Sequence, residues 1–375
     1  MNQAPQTPRV KPANPPIQWR QSPPCSRLNL QPRLNGWAAT RATVTITAGF
    51  LLAAASQAVD PAADLVALDN GVVRLGLSRS MGAAITWISH ADHPENMVNH
   101  ADPGRLIQQS YYAGQMLDRR AEGQSEHWSP WNWNPIQGGG IGSWARVTRL
   151  EREDENTLFG ETIPKLWDMP DEEAAAVMRQ WTAFEPGMPN VIVVRCEFVS
   201  QRAENDRWEP ALPRHQELPA CYFTRKFDNF KSYLGDGKWR AESHPPGPPW
   251  GRAEPPRKAM ACFTADGHGV AVFSPAAAQP WNFGTHRHGD SGDPAAGPCV
   301  HIAPIDLATL GPRSTYRYRY WLITGSADEI AARLDQLWTR HSQETAEITN
   351  PPEPANPATA PAPPAAATPL PPPRG

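Results

Sequence analysis

From Leu65 onward, apolar and polar residues alternate in short runs separated by glycine, proline and asparagine. The stretch 65–77 divides into two such runs around Asp69-Asn70-Gly71, a tight-turn signal between paired strands. Met81-Gly82 then precedes another run at 84–88, and the same period-two pattern predicts strands over 146–150, 157–162, 178–184, 191–199, 260–264, 269–273 and 314–324. In the last of these the alternation puts Tyr316, Tyr318 and Tyr320 on one side and Arg317, Arg319 and Trp321 on the other. One helix is predicted after it. Ser326-Ala327-Asp328-Glu329 reads as a capping box, and Ile330, Leu334, Leu337 and Trp338 follow at helical spacing. Recurrent short strands with turn residues between them predict an all-β fold, a large antiparallel β-sandwich with a short C-terminal helix.

Composition narrows where that sandwich lies. Of the 43 prolines in 375 residues, many crowd the two ends, whose low-complexity sequence cannot bury a core. Residues 1–58 read as a leader with a signal peptide whose apolar region covers about 42–55, with Ser56-Gln57-Ala58 as a small-residue cleavage site. Residues 59–346 read as a single sandwich domain and 347–375 as a disordered Pro/Ala-rich tail. An exported protein, periplasmic or extracellular and not membrane-spanning after signal cleavage, is the expectation. With 35 Lys+Arg against 38 Asp+Glu there is no basic excess to hold nucleic acid. Cys196, Cys221, Cys262 and Cys299 are widely separated, three of them in strand-like sequence, and buried thiols are expected in place of a disulfide framework.

The early Asn70-Gly71-Val72-Val73-Arg74-Leu75 strand, the Gly82 turn, the Ala84-to-Ile88 strand and the late Tyr/Arg strand with its helix resemble the galactose-mutarotase-like supersandwich. The stretches 104–112, 131–139 and 215–220 are also similar to those of a group of exported bacterial carbohydrate-active proteins. The resemblance implies a carbohydrate ligand on one sheet and does not choose a reaction.

Fifteen tryptophans are the unusual feature of the composition, and three of them, Trp128, Trp131 and Trp133, fall in one proline- and glycine-interrupted segment. That segment reads as a loop, with Asn132, Asn134 and Gln137 beside the aromatic rings. Sugars need apolar faces for their C–H groups and amides for their hydroxyls, so these residues are candidate ligand contacts; an aromatic plug over one end of the sandwich is the structural alternative. Gln108, Ser110 and Tyr112 share one face of a predicted strand, and Arg105 at its entrance is placed either to clamp a carboxylate or to pair with Asp102.

His215-Gln216-Glu217 supplies the candidate acid and base, because residues two apart on a strand face the same way. Asp102, Glu161 and Asp168 are possible second carboxylates for glycoside hydrolysis, while elimination from a uronate needs a base such as His215 or Tyr112 and a cation such as Arg105. His286, His288, Asp290 and Asp293 have metal-like spacing in a glycine-containing surface loop, and no metal is assigned. No phosphate loop, nucleophile elbow or dinucleotide fingerprint occurs, so no cofactor is expected.

The reading is an exported enzyme that cleaves glycosidic bonds in an oligo- or polysaccharide, a glycoside hydrolase or polysaccharide lyase. Glu217 and His215 are its catalytic candidates, and Arg105, Gln108, Tyr112, Trp131, Asn132, Trp133, Asn134 and Gln137 its substrate contacts. A non-catalytic glycan-binding or envelope scaffold protein is the alternative.

Overall fold

The computed structural model describes residues 64–101, 104–140, 143–169, 171–287 and 298–350. The leader, most of the tail, Asp102 and the loop bearing His288, Asp290 and Asp293 lie outside the described residues.

Two large antiparallel sheets face each other. The first contains, in spatial order, β10 (Arg146–Arg152), β11 (Thr157–Ile163), β13 (Ala176–Phe184), β14 (Val191–Ser200), β23 (Thr315–Ser326), β20 (His268–Phe273), β19 (Ala259–Phe263), β16 (Asn229–Gly235) and β17 (Lys238–Glu242), with β24 (Glu347–Thr349) pairing β23. The second runs β12 (Lys165–Leu166), β7 (Pro135–Ile136), β4 (Gln108–Ser110), β15 (Pro213–Phe223), β22 (Val300–Thr309), β21 (Gln279–Thr285) and β18 (Gly251–Ala253). A three-stranded sheet of β1 (Leu65–Asp69), β2 (Val73–Ser78) and β3 (Ile85–His90) adds Leu75, Leu77 and Ile88 to the same core. The pairs β5 (Ala113–Leu117) with β6 (Trp131–Trp133) and β8 (Gly139–Gly140) with β9 (Ser143–Trp144) complete the strands. This is the predicted all-β sandwich.

Alternation decides what each strand buries. Tyr316, Tyr318 and Tyr320 of β23 point between the sheets, where Tyr111 meets Phe198 at 4.5 Å and Tyr316 at 5.9 Å between ring centroids. Arg317 and Arg319 point outward. The outer face of the first sheet carries a cross-strand ion-pair row: Glu161 and Glu197 flank Arg179 at 2.8 and 2.7 Å, and Arg317 joins Glu197 at 2.6 Å. On that outer face also lies the 15-residue α-helix α1 (Ala327–His341). It buries Ile330, Leu334 and Leu337 against Trp321, Ile323 and Phe273, and the predicted capping box is present at its start.

Two expectations change. The tryptophan-rich segment expected as a loop forms β6, β7 and β8, and the strand expected across 106–112 is three residues long. In both, paired neighbours supply the hydrogen bonds that the local sequence does not predict: Ser110 pairs Ile136, and Ala113 pairs Trp133. The four described cysteines are buried thiols. No helix among the described residues is long and apolar enough to cross a membrane.

Candidate functional site

The outer face of the second sheet is assembled by register. Glu217 lies opposite Ser110 on one side and Ile305 on the other, while Tyr222 lies opposite His301. Residues directly opposite on antiparallel strands share a face. Ile302, Cys221, Phe223 and Phe283 belong to the core, so their neighbours His301, Tyr222 and Asn282 point outward. Between Glu217 and Cys221 the β15–β22 register shifts. That bulge keeps both Glu217 and Tyr222 on the outer side, where strict alternation would have put one of them in the core.

Glu217 is 8 % exposed, and its Oε1 is 3.5 Å from His301 Nε2. The imidazole is enclosed by Tyr222, stacked at 4.3 Å, and Trp250 at 4.7 Å between centroids. Its Nδ1 lies 3.3 Å from the carbonyl of Cys221. A carbonyl only accepts, so Nδ1 carries hydrogen, and in the neutral ring Nε2 is then a bare lone pair facing a carboxylate.

Tyr112 is fixed beside this pair through its backbone. The buried side chain of Gln216 accepts from Tyr112 N at 2.9 Å and donates to Tyr112 O at 2.8 Å, acting as a strand partner. Burial first, and the charge of Glu217 second, push the Tyr112 phenol far above its ordinary range, and the same two causes act on Tyr222. The positive charge of Arg105 reaches Tyr222 and partly offsets them. Both phenols are therefore protonated at any physiological pH and can donate.

Aromatic rings line one side. Trp131 meets Tyr112 edge-on at 6.4 Å, Trp128 bridges Trp131 at 5.1 Å and Trp167 at 5.6 Å, and the Arg105 guanidinium lies 5.5 Å over the Trp167 ring. Trp131 is half-buried and keeps part of its surface in solvent.

Of the residues singled out in the sequence, Glu217, Tyr112, Arg105 and Trp131 come together here. His215 shares the face, but it is exposed beside Arg252, and the imidazole in contact with Glu217 is His301. Burial and the Arg252 charge lower the His215 pKa. Trp133 is corrected outright: it is 2 % exposed in the core, near Phe198, with the Arg202 guanidinium 5.2 Å over its ring.

The amides are committed to backbone. Gln108 donates to Gly104 O and accepts from Gly138 N, Asn132 donates to Gly114 O, Asn134 donates to Tyr111 O, and Gln137 donates to Ala83 O and accepts from Gln109 N. They shape the segment that carries Trp131; Gln108, Asn134 and Gln137 are buried, and Asn132 is half-buried. Glu161 is engaged by Arg179 on the other sheet, and buried Asp168 accepts from Gln124 at 2.6 Å. Neither supplies Glu217 with a second carboxylate. Among the described residues, Glu217 is the one carboxylate at the outward positions of β4, β15, β22, β21 and β18.

Sequence reasoning missed His301, Tyr222, Trp250 and Trp167. The alternation through 300–305 marks a strand with His301 on the polar side, but nothing local joins it to a glutamate more than 80 residues away. A separate surface depression lined by His90, Asp92, Glu329 and Arg333 includes none of these groups.

Neither a family model nor a curated protein matches the sequence. Among solved structures, the chain is similar to a TPR-domain-containing protein from Parabacteroides distasonis, at 9% identity and TM-score 0.41, over 70% of this chain and 47% of that one. It is also similar to a galactose mutarotase related enzyme from Lactobacillus acidophilus, at 11% identity and TM-score 0.40, over 70% of this chain and 98% of that one. A heparan sulfate lyase from Pedobacter heparinus is similar at 9% identity and TM-score 0.36, over 68% of this chain and 33% of the lyase. The chain spans about half the length of the first of these proteins and a third of the lyase. Galactose-mutarotase-like proteins and polysaccharide lyases are among the solved structures to which this β-sandwich is similar.

Proposed function

We propose that the protein is an exported carbohydrate-active enzyme that cleaves glycosidic bonds by β-elimination at the outer face of the second sheet. The observation that carries this reading is Glu217, the one carboxylate among the described residues at the outward positions of this sheet, backed by His301 and flanked by the protonated phenol of Tyr112. Hydrolysis by the usual route needs two carboxylates across the scissile bond. Elimination needs one base, one acid and a cation at the sugar carboxylate.

In the proposed reaction Glu217 removes the proton α to the carboxylate of a uronate unit, and His301 stabilises the protonated glutamic acid. The C–H electron pair becomes the ring double bond as the bond from the β-carbon to the leaving oxygen breaks. Tyr112 gives its proton to that oxygen, and a proton returns from Glu217 to the phenolate through solvent. Arg105 neutralises the reacting carboxylate, and Trp131 offers its half-exposed ring to a neighbouring sugar.

Glu217→Gln keeps the shape and removes the base, so elimination should fall by about 10²–10⁴-fold with the thermal transition unchanged. Ultraviolet absorbance of the unsaturated product measures this on polyuronates. Full turnover in this variant sinks the assignment, and new reducing ends without unsaturated product would mean hydrolysis. Retardation in affinity gels with neither product would leave binding alone.

A further inference from the structure

Trp131 has a counterpart that the proposed reaction does not use. Trp250 is half-buried like Trp131, and it reaches the Glu217–His301 contact from the other direction. Backbone sets its place. Gly251 pairs with Phe283, so Trp250 enters β18 level with Gly284, which lies opposite His301 on β22. Gly284 has no side chain to fill the outer surface of β21, and a Cβ built there would lie 3.7 Å from Trp250 Cε3. The indole therefore lies over β21 and meets the His301 ring at 4.7 Å between centroids. Gly247 closes on it from the chain before: its N–H donates to Thr285 O at 2.8 Å, and a Cβ at Gly247 would come 2.9 Å from the same ring atom. A large ring held by backbone on two sides loses little freedom when a ligand packs on it.

The two tryptophans stand on opposite sides of the carboxylate. Trp131 belongs to β6, which leads into β7, and in the strand order β7 and β4 lie on one side of β15 while β22 and β21 lie on the other. Register separates them lengthwise as well. Tyr112, which meets Trp131, continues from Ser110 towards the Leu307 end of β22, whereas His301 and Trp250 lie towards the other end, with Glu217 between. Three strand spacings of about 4.8 Å lead from β4 to β21, so the rings are at least roughly 14 Å apart. That leaves room for a reacting unit between two stacked neighbours.

We propose that Trp250 is a second sugar-stacking platform, across Glu217 from Trp131, and that the substrate is a polymer cleaved at internal bonds, with units held on both sides of the reacting one. This rests on the glycan reading of the Glu217 site. The C–H face of a sugar ring packs on an indole by apolar contact and by attraction to the negative ring face. The platform therefore selects for chain length, and the charge of the stacked unit matters little to it.

Affinity electrophoresis of the full chain carrying Glu217→Gln, which keeps the shape of the site without turnover, tests the platform against polygalacturonate, alginate and hyaluronan. Adding Trp250→Ala should weaken binding to the polymer that the single variant retains by about tenfold, and Trp250→Phe, which keeps an aromatic face, should lose much less. An unchanged thermal transition separates loss of the platform from misfolding. Equal retention with and without Trp250→Ala, or an equal loss in Trp250→Phe, overturns the platform and leaves the Glu217 reading standing. Product lengths from the unaltered protein give a readout that needs no variant. A mixture of unsaturated products several units long at the start of digestion is expected, and one short product from the start overturns the two-sided arrangement. Retention that depends on Trp250 without any unsaturated product keeps the platform and overturns elimination. Failure of all three polymers to bind overturns both.

Discussion

Tyr320 ends a ladder of three tyrosines on β23, with centroids 6.0 Å apart from Tyr316 to Tyr318 and 6.2 Å from Tyr318 to Tyr320. Its ring fills the core, but its buried hydroxyl has no hydrogen-bond partner. An unmatched buried hydroxyl costs its desolvation and returns nothing. Tyr320→Phe should therefore leave the unfolding free energy unchanged or raise it by about 1 kcal/mol in a denaturant titration. Tyr316→Phe should lower it, since that hydroxyl donates to Asp306 at 2.6 Å. Histidine protonation is the other residue-scale effect. His268 stacks on His93 at 3.8 Å and lies 5.3 Å from His90, with Asp266 and Glu329 acting in the opposite sense. Burial first, and the two histidine charges next, lower its pKa from 6.5 to about 4. The unfolded chain then binds the proton more readily. Stability is complete above pH 6.5 and falls as pH drops from 6.5 towards 4, ceasing to change with this group below that. The melting temperature should fall by about 3 °C or more across this window, and by less in His268→Gln.

At the scale of elements, α1 is the part most fully legible in the sequence. Ser326 and Glu329 satisfy each other's backbone donors, Glu329 Oε2 accepting from Ser326 N at 2.8 Å and Ser326 Oγ from Glu329 N at 3.4 Å. All the groups involved lie within four residues. Ser326→Ala should destabilise the protein by about 1 kcal/mol in thermal or chemical unfolding. The long strands were legible for the same local reason: alternation through 191–199 and 314–324 marks β14 and β23 without knowledge of their partners. Short strands were not. β7 is two residues and β4 three, and neither carries enough period to identify it; each exists because a neighbour pairs with it. The bulge in β15 is of this kind too, visible only once β22 lies beside it.

For the molecule as a whole, the candidate site draws its side chains from separated stretches. Arg105 and Tyr112, Trp131, Trp167, Glu217 and Tyr222, Trp250 and His301 converge because the strand order β7-β4-β15-β22-β21 brings their segments together. Glu217, Tyr112, Arg105 and Trp131 could be picked out beforehand from residue type and local pattern. Their partners could not. His215 was the nearest histidine in sequence, yet His301 on the adjacent strand contacts the carboxylate. The amides around Trp131 looked available because sequence does not reveal which backbone groups would otherwise be left unsatisfied; in the fold those groups claim them.

The chain by itself determined what depends on neighbours a few residues away: the β class, the long strands and their buried faces, the helix and its cap, and the residue types able to do acid-base chemistry. Tertiary structure alone decided which strands lie side by side, where register slips, and which face each polar group meets. A periodicity of two or 3.6 is written within one segment, whereas pairing is selected by the burial of many segments at once. The acid-base pair is a product of that pairing.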